Sequence, residues 1–202
     1  MDVFFYIKHQ DVERVSETGL KLNEWSDRKI SIKGIWYPCI HALLNPMDEP
    51  EKFHDDNYIP LKIHVDPKHS IVAEGLFYND FFFNSEMNKL YNKSVMLFEK
   101  YTFGIYRRPE CLLTGTVSNK YFTQMDKLID VPILYGSSEE IYLNRQLQAG
   151  RDSYENFEEK LLYRFYHNLY EKGLYEMYTT ADSDHAVFES SVGEHIISTK
   201  KR

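Results

Sequence analysis

Apolar positions alternate most clearly from Tyr58 to Val65. Ile59, Leu61, Ile63 and Val65 point one way and Lys62 and His64 the other, the period of a strand with one buried face. Pro60 near its start predicts an edge position or a late first pairing. Asp66-Pro67-Lys68 is turn chemistry, and Ser70–Ala73 reads as the returning strand. The chain opens with another strand, Val3-Phe4-Phe5-Tyr6-Ile7. A short helix follows from Asp11, carrying Val12 and Val15, and Gly19 stops it. Trp25 to Ile35 reads as loop with an extended piece at Ile30–Ile32. Trp36 to Leu44 is apolar and allows a short helix from Pro38, broken by Pro46. Met47 to Asn57 holds five acids in eleven residues and reads as a solvated loop.

Farther on, Leu76–Phe83 is aromatic and partly strand-like, and Ser85–Tyr101 reads as a helix. Glu110–Val117 and Val131–Tyr135 read as strands, with a helical turn near Asn119–Gln124. Ser137 with Glu140 forms a capping box for a helix to about Gln148, ended by Gly150, and Asp152 with Glu155 resembles a second box. Phe157, Leu161, Leu162, Phe165 and Leu169 then mark an amphipathic helix over roughly 153–170, with Phe157, Leu161, Phe165 and Leu169 expected to be buried together. This order predicts an α+β fold: one domain over 1–178 with a bent or split mixed sheet and a helical C-terminal third. Residues 179–202 read as a polar tail open to partial disorder, with Val187-Phe188 and Ile196-Ile197 as its apolar patches.

The 202 residues carry 24 Lys and Arg against 31 Asp and Glu, a formal charge of −7. That balance argues against non-specific nucleic-acid binding, which depends on phosphate neutralisation, without excluding a local basic groove. No apolar run approaches a membrane span, and the start lacks the pattern of a secretory signal. Cys39 and Cys111 make neither a disulfide framework nor a four-ligand zinc site, which suits a cytoplasmic protein with both thiols reduced, buried and unpaired. Aromatic residues are 15% of the chain, so much of the core is aromatic.

Little else signals chemistry. GxGxxG, GxxxxGK[ST] and GxSxG are absent. His64, Asp66 and His69 cluster around a turn, and His54, Asp55 and Asp56 adjoin, but neither spacing is that of a metal motif, so no metal site is assigned. Both cysteines sit among apolar neighbours, as inert packing does. Glu110 stands out: a carboxylate at the mouth of a strand, after Arg107-Arg108-Pro109. Its bland alternative is an ion pair with Arg107 or Arg108.

Two segments carry a resemblance. Phe5-Tyr6-Ile7-Lys8-His9, followed by Val12, Val15, Gly19 and Leu20, resembles the start of the DarT-type ADP-ribosyltransferases, a Tyr-His-aliphatic-Thr-His strand and then a helix ending in Gly-Leu. Pro109-Glu110-Cys111-Leu112-Leu113 with Val117–Phe122 resembles that family's Ala-Glu-Val-Leu-Val strand and the helical turn after it. The likeness covers 4–20 and 107–122 and has no counterpart from Ser137 onward. The family's first histidine falls on Tyr6 and its threonine on Lys8; its second histidine is matched by His9. The resemblance implies a split-sheet fold that cleaves the nicotinamide–ribose bond of NAD, with NAD as substrate and no metal. Glu110 would be catalytic, and Tyr6, His9 and Arg28 would bind NAD, Arg28 at the diphosphate. The family's acceptor is DNA. Here the charge leaves protein, nucleic acid or small molecule open as acceptor, and an oligomer open as well. Loss of the first histidine also fits a non-catalytic protein-binding module on the same fold, and a metal-dependent hydrolase has no ligand cluster to rest on.

Overall fold

In a computed structural model of the chain, residues 1–78, 85–127, 136–153, 159–179 and 185–200 are described. Their architecture is α+β, and the chain divides into two compact units, 1–141 and 142–202. In the first unit β1 (Asp2–Lys8) leads into α1 (Val12–Thr18) and α2 (Leu22–Trp25), followed by β2 (Arg28–Ile32) and β3 (Ile35–Leu43). Then come α3 (Pro50–His54), β4 (Tyr58–His64), β5 (Ile71–Glu74), α4 (Ser85–Ser94), β6 (Met96–Leu97), β7 (Pro109–Leu113) and β8 (Phe122–Gln124). The strands form one sheet in the order β6-β5-β7-β3-β1-β4-β8, with β2 paired to β3, and every described ladder is antiparallel.

This sheet is split. β1 pairs with β4 along its whole length but meets β3 at one position, Phe4 opposite Leu43. Beyond that point the two half-sheets part. The His41 N–H donates to Asp27 Oδ1 (3.0 Å) and the Cys39 carbonyl accepts from the Asp27 N–H (3.0 Å), so the edge of β3 that β1 leaves is satisfied by the segment entering β2. Val3, Phe5, Ile7, Ile40, Ala42, Leu61, Ile63, Cys111 and Leu113 make the core on one face. Phe4, Tyr6, Leu43 and Met125 cluster on the other.

Several local readings hold and others change. Gly19 ends α1 at φ 75° and ψ −175°, a region essentially restricted to glycine, and a Cβ there would lie 2.3 Å from the Val117 carbonyl oxygen. Leu20 then bridges to Val117. Gly19→Ala is therefore expected to cost about 1–3 kcal/mol from backbone strain, read as a lower urea midpoint; an unchanged midpoint would show that this contact gives way freely. Trp36–Leu43 is strand, not helix. Pro38 pairs with Lys29, and the edge it turns away from β2 is one that β7 reaches only from Ile40, so its missing N–H breaks no ladder. Lys33 and Gly34, both at positive φ, close the β2–β3 hairpin in two residues. Pro60 lies inside the sheet, not at its edge. Its carbonyl accepts the Met125 N–H (2.9 Å), so its absent donor faces β8, whose ladder begins only at Leu61.

The acidic stretch is partly folded inward. Asn45 and Asp48 cap a 3-10 turn over Pro46–Asp48, and α3 follows. Asp48 accepts the Ser138 N–H (2.6 Å) and hydroxyl (2.7 Å), and burial, outweighing those bonds, raises its carboxyl to about 6. α4 stops at Ser94, because residues 96–97 join β5 as a strand. The strand expected at Val131–Tyr135 lies outside the described residues, as do the second capping box's Glu155, the end of the aromatic stretch and Phe157.

α5 (Ser138–Ser153) runs through Gly150; one half of the expected capping box is present, with Ser137 Oγ accepting from the Glu140 N–H. In the second unit α6 (Glu159–Glu171) packs on a three-stranded sheet of β9 (Tyr175–Tyr178), β10 (His185–Ser190) and β11 (His195–Thr199). Residues 185–199 are thus an ordered hairpin and not a polar tail. Val187, Phe188 and Ile197 are buried, and the buried Tyr142 hydroxyl bonds both main-chain groups of Ile197. The helix face also differs from the expectation: Leu162 is buried, Leu161 is 43% exposed, Phe165 and Leu169 are half-buried, and Tyr163 and Tyr166 meet Phe188. Tyr residues can point their rings inward and hydroxyls outward, which rotates the apolar stripe from the position its Leu and Phe residues mark.

Candidate active site

Glu110 is the second residue of β7. Its register partners are Leu43 on β3 and Ala73 on β5. Paired residues on adjacent strands share a face, so Phe4, Leu43 and Glu110 form one row, and Tyr6, two residues along β1, shares that face. The side chain is 5% exposed. Its partner is neither Arg107 nor Arg108 but Arg28, 82 residues away, whose Nε lies 3.2 and 3.1 Å from the two carboxylate oxygens. Arg28 pairs with Cys39 on β3, so its side chain crosses β3 to reach β7. The Tyr91 hydroxyl, from α4, donates to Glu110 Oε1 at 2.5 Å, and the Tyr78 ring lies 4.4 Å from the guanidinium carbon. Burial, reinforced by the charge of Glu110, holds the Tyr91 hydroxyl far above the ordinary phenol range, so it serves as a donor.

A second carboxylate supports the first. Glu74 ends β5, is fully buried, and accepts the main-chain N–H groups of Arg107 (2.7 Å), Arg108 (2.9 Å) and Leu76 (3.3 Å). Burial raises its carboxyl to about 7 against those three bonds, with the charge of Glu110 adding to the rise. Arg107 turns away to Glu139, its Nε 2.8 Å from Oε1. The Gly75 N–H donates to the Arg108 carbonyl (2.9 Å), and a Cβ on Gly75 would come within 2.9 Å of Glu110 Oε2, so a side chain there would press on the carboxylate.

Of the four residues singled out in the sequence, two come together. Arg28, with its side chain 19% exposed, is the ion-pair partner of Glu110. Tyr6 and His9 are not beside them. Two strand spacings and two residues put the Tyr6 Cα on the order of 12 Å from that of Glu110, and the buried Tyr6 hydroxyl donates to the Pro46 carbonyl (2.8 Å). His9 lies past the end of β1, where its exposed side chain lines a polar cavity of about 460 Å³ with Lys8, Gln10, Asp55, Asn57 and Tyr58. An aromatic-rich chain gave no sequence signal that Tyr78 and Tyr91 would meet Arg28 and Glu110, and Asp27, His41 and Glu74 fall in no motif.

The remaining nucleophiles are poor ones. Cys39 and Cys111 are unpaired and fully buried. Burial, then the neighbouring carboxylates, push both thiols up to about 12. His64 and His69 are exposed and pair separately with Asp2 and Asp66, both at 3.1 Å. Among the described residues no three His, Cys, Asp or Glu side chains converge as metal ligands, and no helix is long and apolar enough to cross a membrane. Comparison with known proteins finds no match to this chain: no family model, no curated protein and no solved structure is similar to it.

Proposed function

We propose that the protein is an NAD-consuming transferase of the DarT-type ADP-ribosyltransferase kind, cleaving the nicotinamide–ribose bond at Glu110 and acting in the reducing cytoplasm, where two buried unpaired thiols persist. The observation that carries this reading is the pair Arg28–Glu110, drawn from two distant segments onto one sheet face beside the split between β1 and β3. As the C1′–N bond breaks, its electrons pass to the nicotinamide nitrogen and C1′ becomes oxocarbenium-like. A fixed, water-shielded carboxylate stabilises that centre far more than it stabilises neutral ground-state groups. Arg28, with a planar fork of donors, exchanges Glu110 for the NAD diphosphate as substrate enters, which uncovers the carboxylate. His9, with its polar cavity, takes the adenosine side. The acceptor that attacks C1′ is a protein, a nucleic acid or a small molecule.

A second reading rests on the same cluster. Arg28 and the Tyr91 hydroxyl already occupy the Glu110 carboxylate, as they would in a non-catalytic binding module that kept the fold. Thermal denaturation with NAD separates the two. A ligand bound only by the native state at about a hundredfold over its Kd adds about 2.7 kcal/mol, so a clear rise in Tm is expected. No shift at millimolar NAD would favour the binding module.

A further inference from the structure

A chain of charged groups leads from Glu110 across the split, and its far half takes no part in the chemistry above. Asp27 stands at the junction. Its Oδ2 lies 3.3 Å from Arg28 Nη1 and also meets His41 Nδ1, while its Oδ1 and N–H hold the main chain of β3 at His41 and Cys39. The other ring nitrogen of His41, Nε2, faces Glu49 Oε1 at 3.5 Å, and Glu49 pairs with Lys52 at 2.7 Å. The sequence is thus Lys52, Glu49, His41, Asp27, Arg28, Glu110, Tyr91. The Phe5 ring of β1 lies T-shaped to the imidazole with centroids 6.5 Å apart, and the imidazole is 13% exposed.

Both nitrogens of His41 face carboxylates. A neutral imidazole carries a lone pair on one nitrogen and would set it against a carboxylate; the imidazolium donates from both. We propose that His41 is a positioning residue for Arg28, acting through Asp27: the charged ring pins the Asp27 carboxylate at the split, and Asp27 in turn fixes the guanidinium that meets the diphosphate. The inference rests on the reading of Arg28 as the diphosphate ligand. The charged groups that face His41 are Asp27 and Glu49 directly, with Arg28 behind the first and Lys52 behind the second; from β1 the Phe5 ring lies against it. Burial and the charge of Arg28 work against the imidazolium, but the hydrogen bonds to Asp27 and Glu49 prevail and raise the His41 pKa above its ordinary value. As pH rises through that raised value the ring loses its proton and one of its two donors, Asp27 is no longer held in place from the His41 side, and the position of Arg28 shifts with it.

The test follows the Arg28 Nε–H signal by ¹⁵N-edited NMR while the wild-type protein is titrated, together with NAD cleavage kinetics of wild type, His41→Gln and His41→Phe. The Arg28 signal is expected to move with the His41 titration in the wild type and to be displaced in both variants at every pH. Loss of the charge-assisted contact that holds Asp27 beside the guanidinium is expected to raise KM for NAD about tenfold, with kcat changed less than about threefold and with the alkaline rise in KM absent from the variants. An Arg28 signal that ignores His41 protonation in the wild type overturns the inference, whether or not a variant folds. If the signal follows His41 but NAD is neither bound nor cleaved, the positioning stands and the reading of the site as an NAD site falls.

Discussion

Glu110→Gln is expected to slow nicotinamide release from NAD by about 10²–10³-fold, as removal of one preorganised transition-state stabiliser does, with KM for NAD little altered. Glutamine has nearly the shape of glutamate and keeps one carbonyl oxygen. That oxygen, placed at Oε1, still accepts from Tyr91 and from Arg28 Nε. What is lost is the full negative charge, which matters little to neutral ground-state contacts and much to a carbon acquiring positive charge. The structural cost is that an amide nitrogen replaces Oε2, 3.1 Å from Arg28 Nε. Setting one donor against another in a site this dry costs about 1–3 kcal/mol, so the melting temperature should fall modestly while the protein remains folded. Arg28 keeps Asp27 as a second partner, which limits the loss. Rate and stability together decide the matter. A large fall in kcat with a small fall in Tm assigns Glu110 to the chemistry. Unchanged turnover with reduced stability makes it the structural partner of Arg28 and nothing more.

How much of this site was legible in the sequence depends on the range over which each interaction acts. Helix α1 with its Gly19 stop, the alternation of Ile59, Leu61 and Ile63, and the returning strand at 71–74 are local, and each is present. Glu110 was legible as a carboxylate at a strand mouth, but its partner was not. Arg107 and Arg108 are nearest in sequence, yet both precede the strand, their main-chain N–H groups are tied to Glu74, and the Arg107 side chain turns to Glu139. Arg28 reaches Glu110 only because β3 lies between them, a consequence of strand order that no local pattern carries. His41 was one histidine among eight, and its meaning comes from carboxylates at 27 and 49 that a loop and a hairpin bring to its two nitrogens. The misreading of Trp36–Leu44 has the same origin. A proline near the start of an apolar run fits the first turn of a helix equally well, and only the open edge of β3 explains its place in a strand.

The largest stability effect is expected at Glu74. Its two oxygens are the acceptors for three main-chain N–H groups, those of Leu76, Arg107 and Arg108, in a fully buried place at the end of β5. Glu74→Leu fills the space but leaves those donors facing hydrocarbon. At about 1–3 kcal/mol for each buried group left unsatisfied, the loss is a large part of the roughly 5–15 kcal/mol that holds a domain together. Glu74→Gln keeps one acceptor oxygen and should lose about 1–3 kcal/mol. The pH dependence separates this role from a simple packing role. The folded carboxyl titrates near 7 against 4.5 for its ordinary value. As pH rises from about 4.5 to about 7 the unfolded chain therefore gives up this proton before the folded one does, and the wild type loses stability over that window. Glu74→Gln has no proton to lose, so the gap between wild type and variant should narrow from pH 4.5 to 7 and stay constant above. Urea midpoints at pH 5, 6, 7 and 8 measure it. A gap independent of pH would mean that Glu74 is already ionised in the folded protein, its three N–H donors outweighing burial. Because Arg107 and Arg108 lead directly into Pro109 and Glu110, either outcome also states what holds the start of β7, and hence the Glu110 carboxylate, in place.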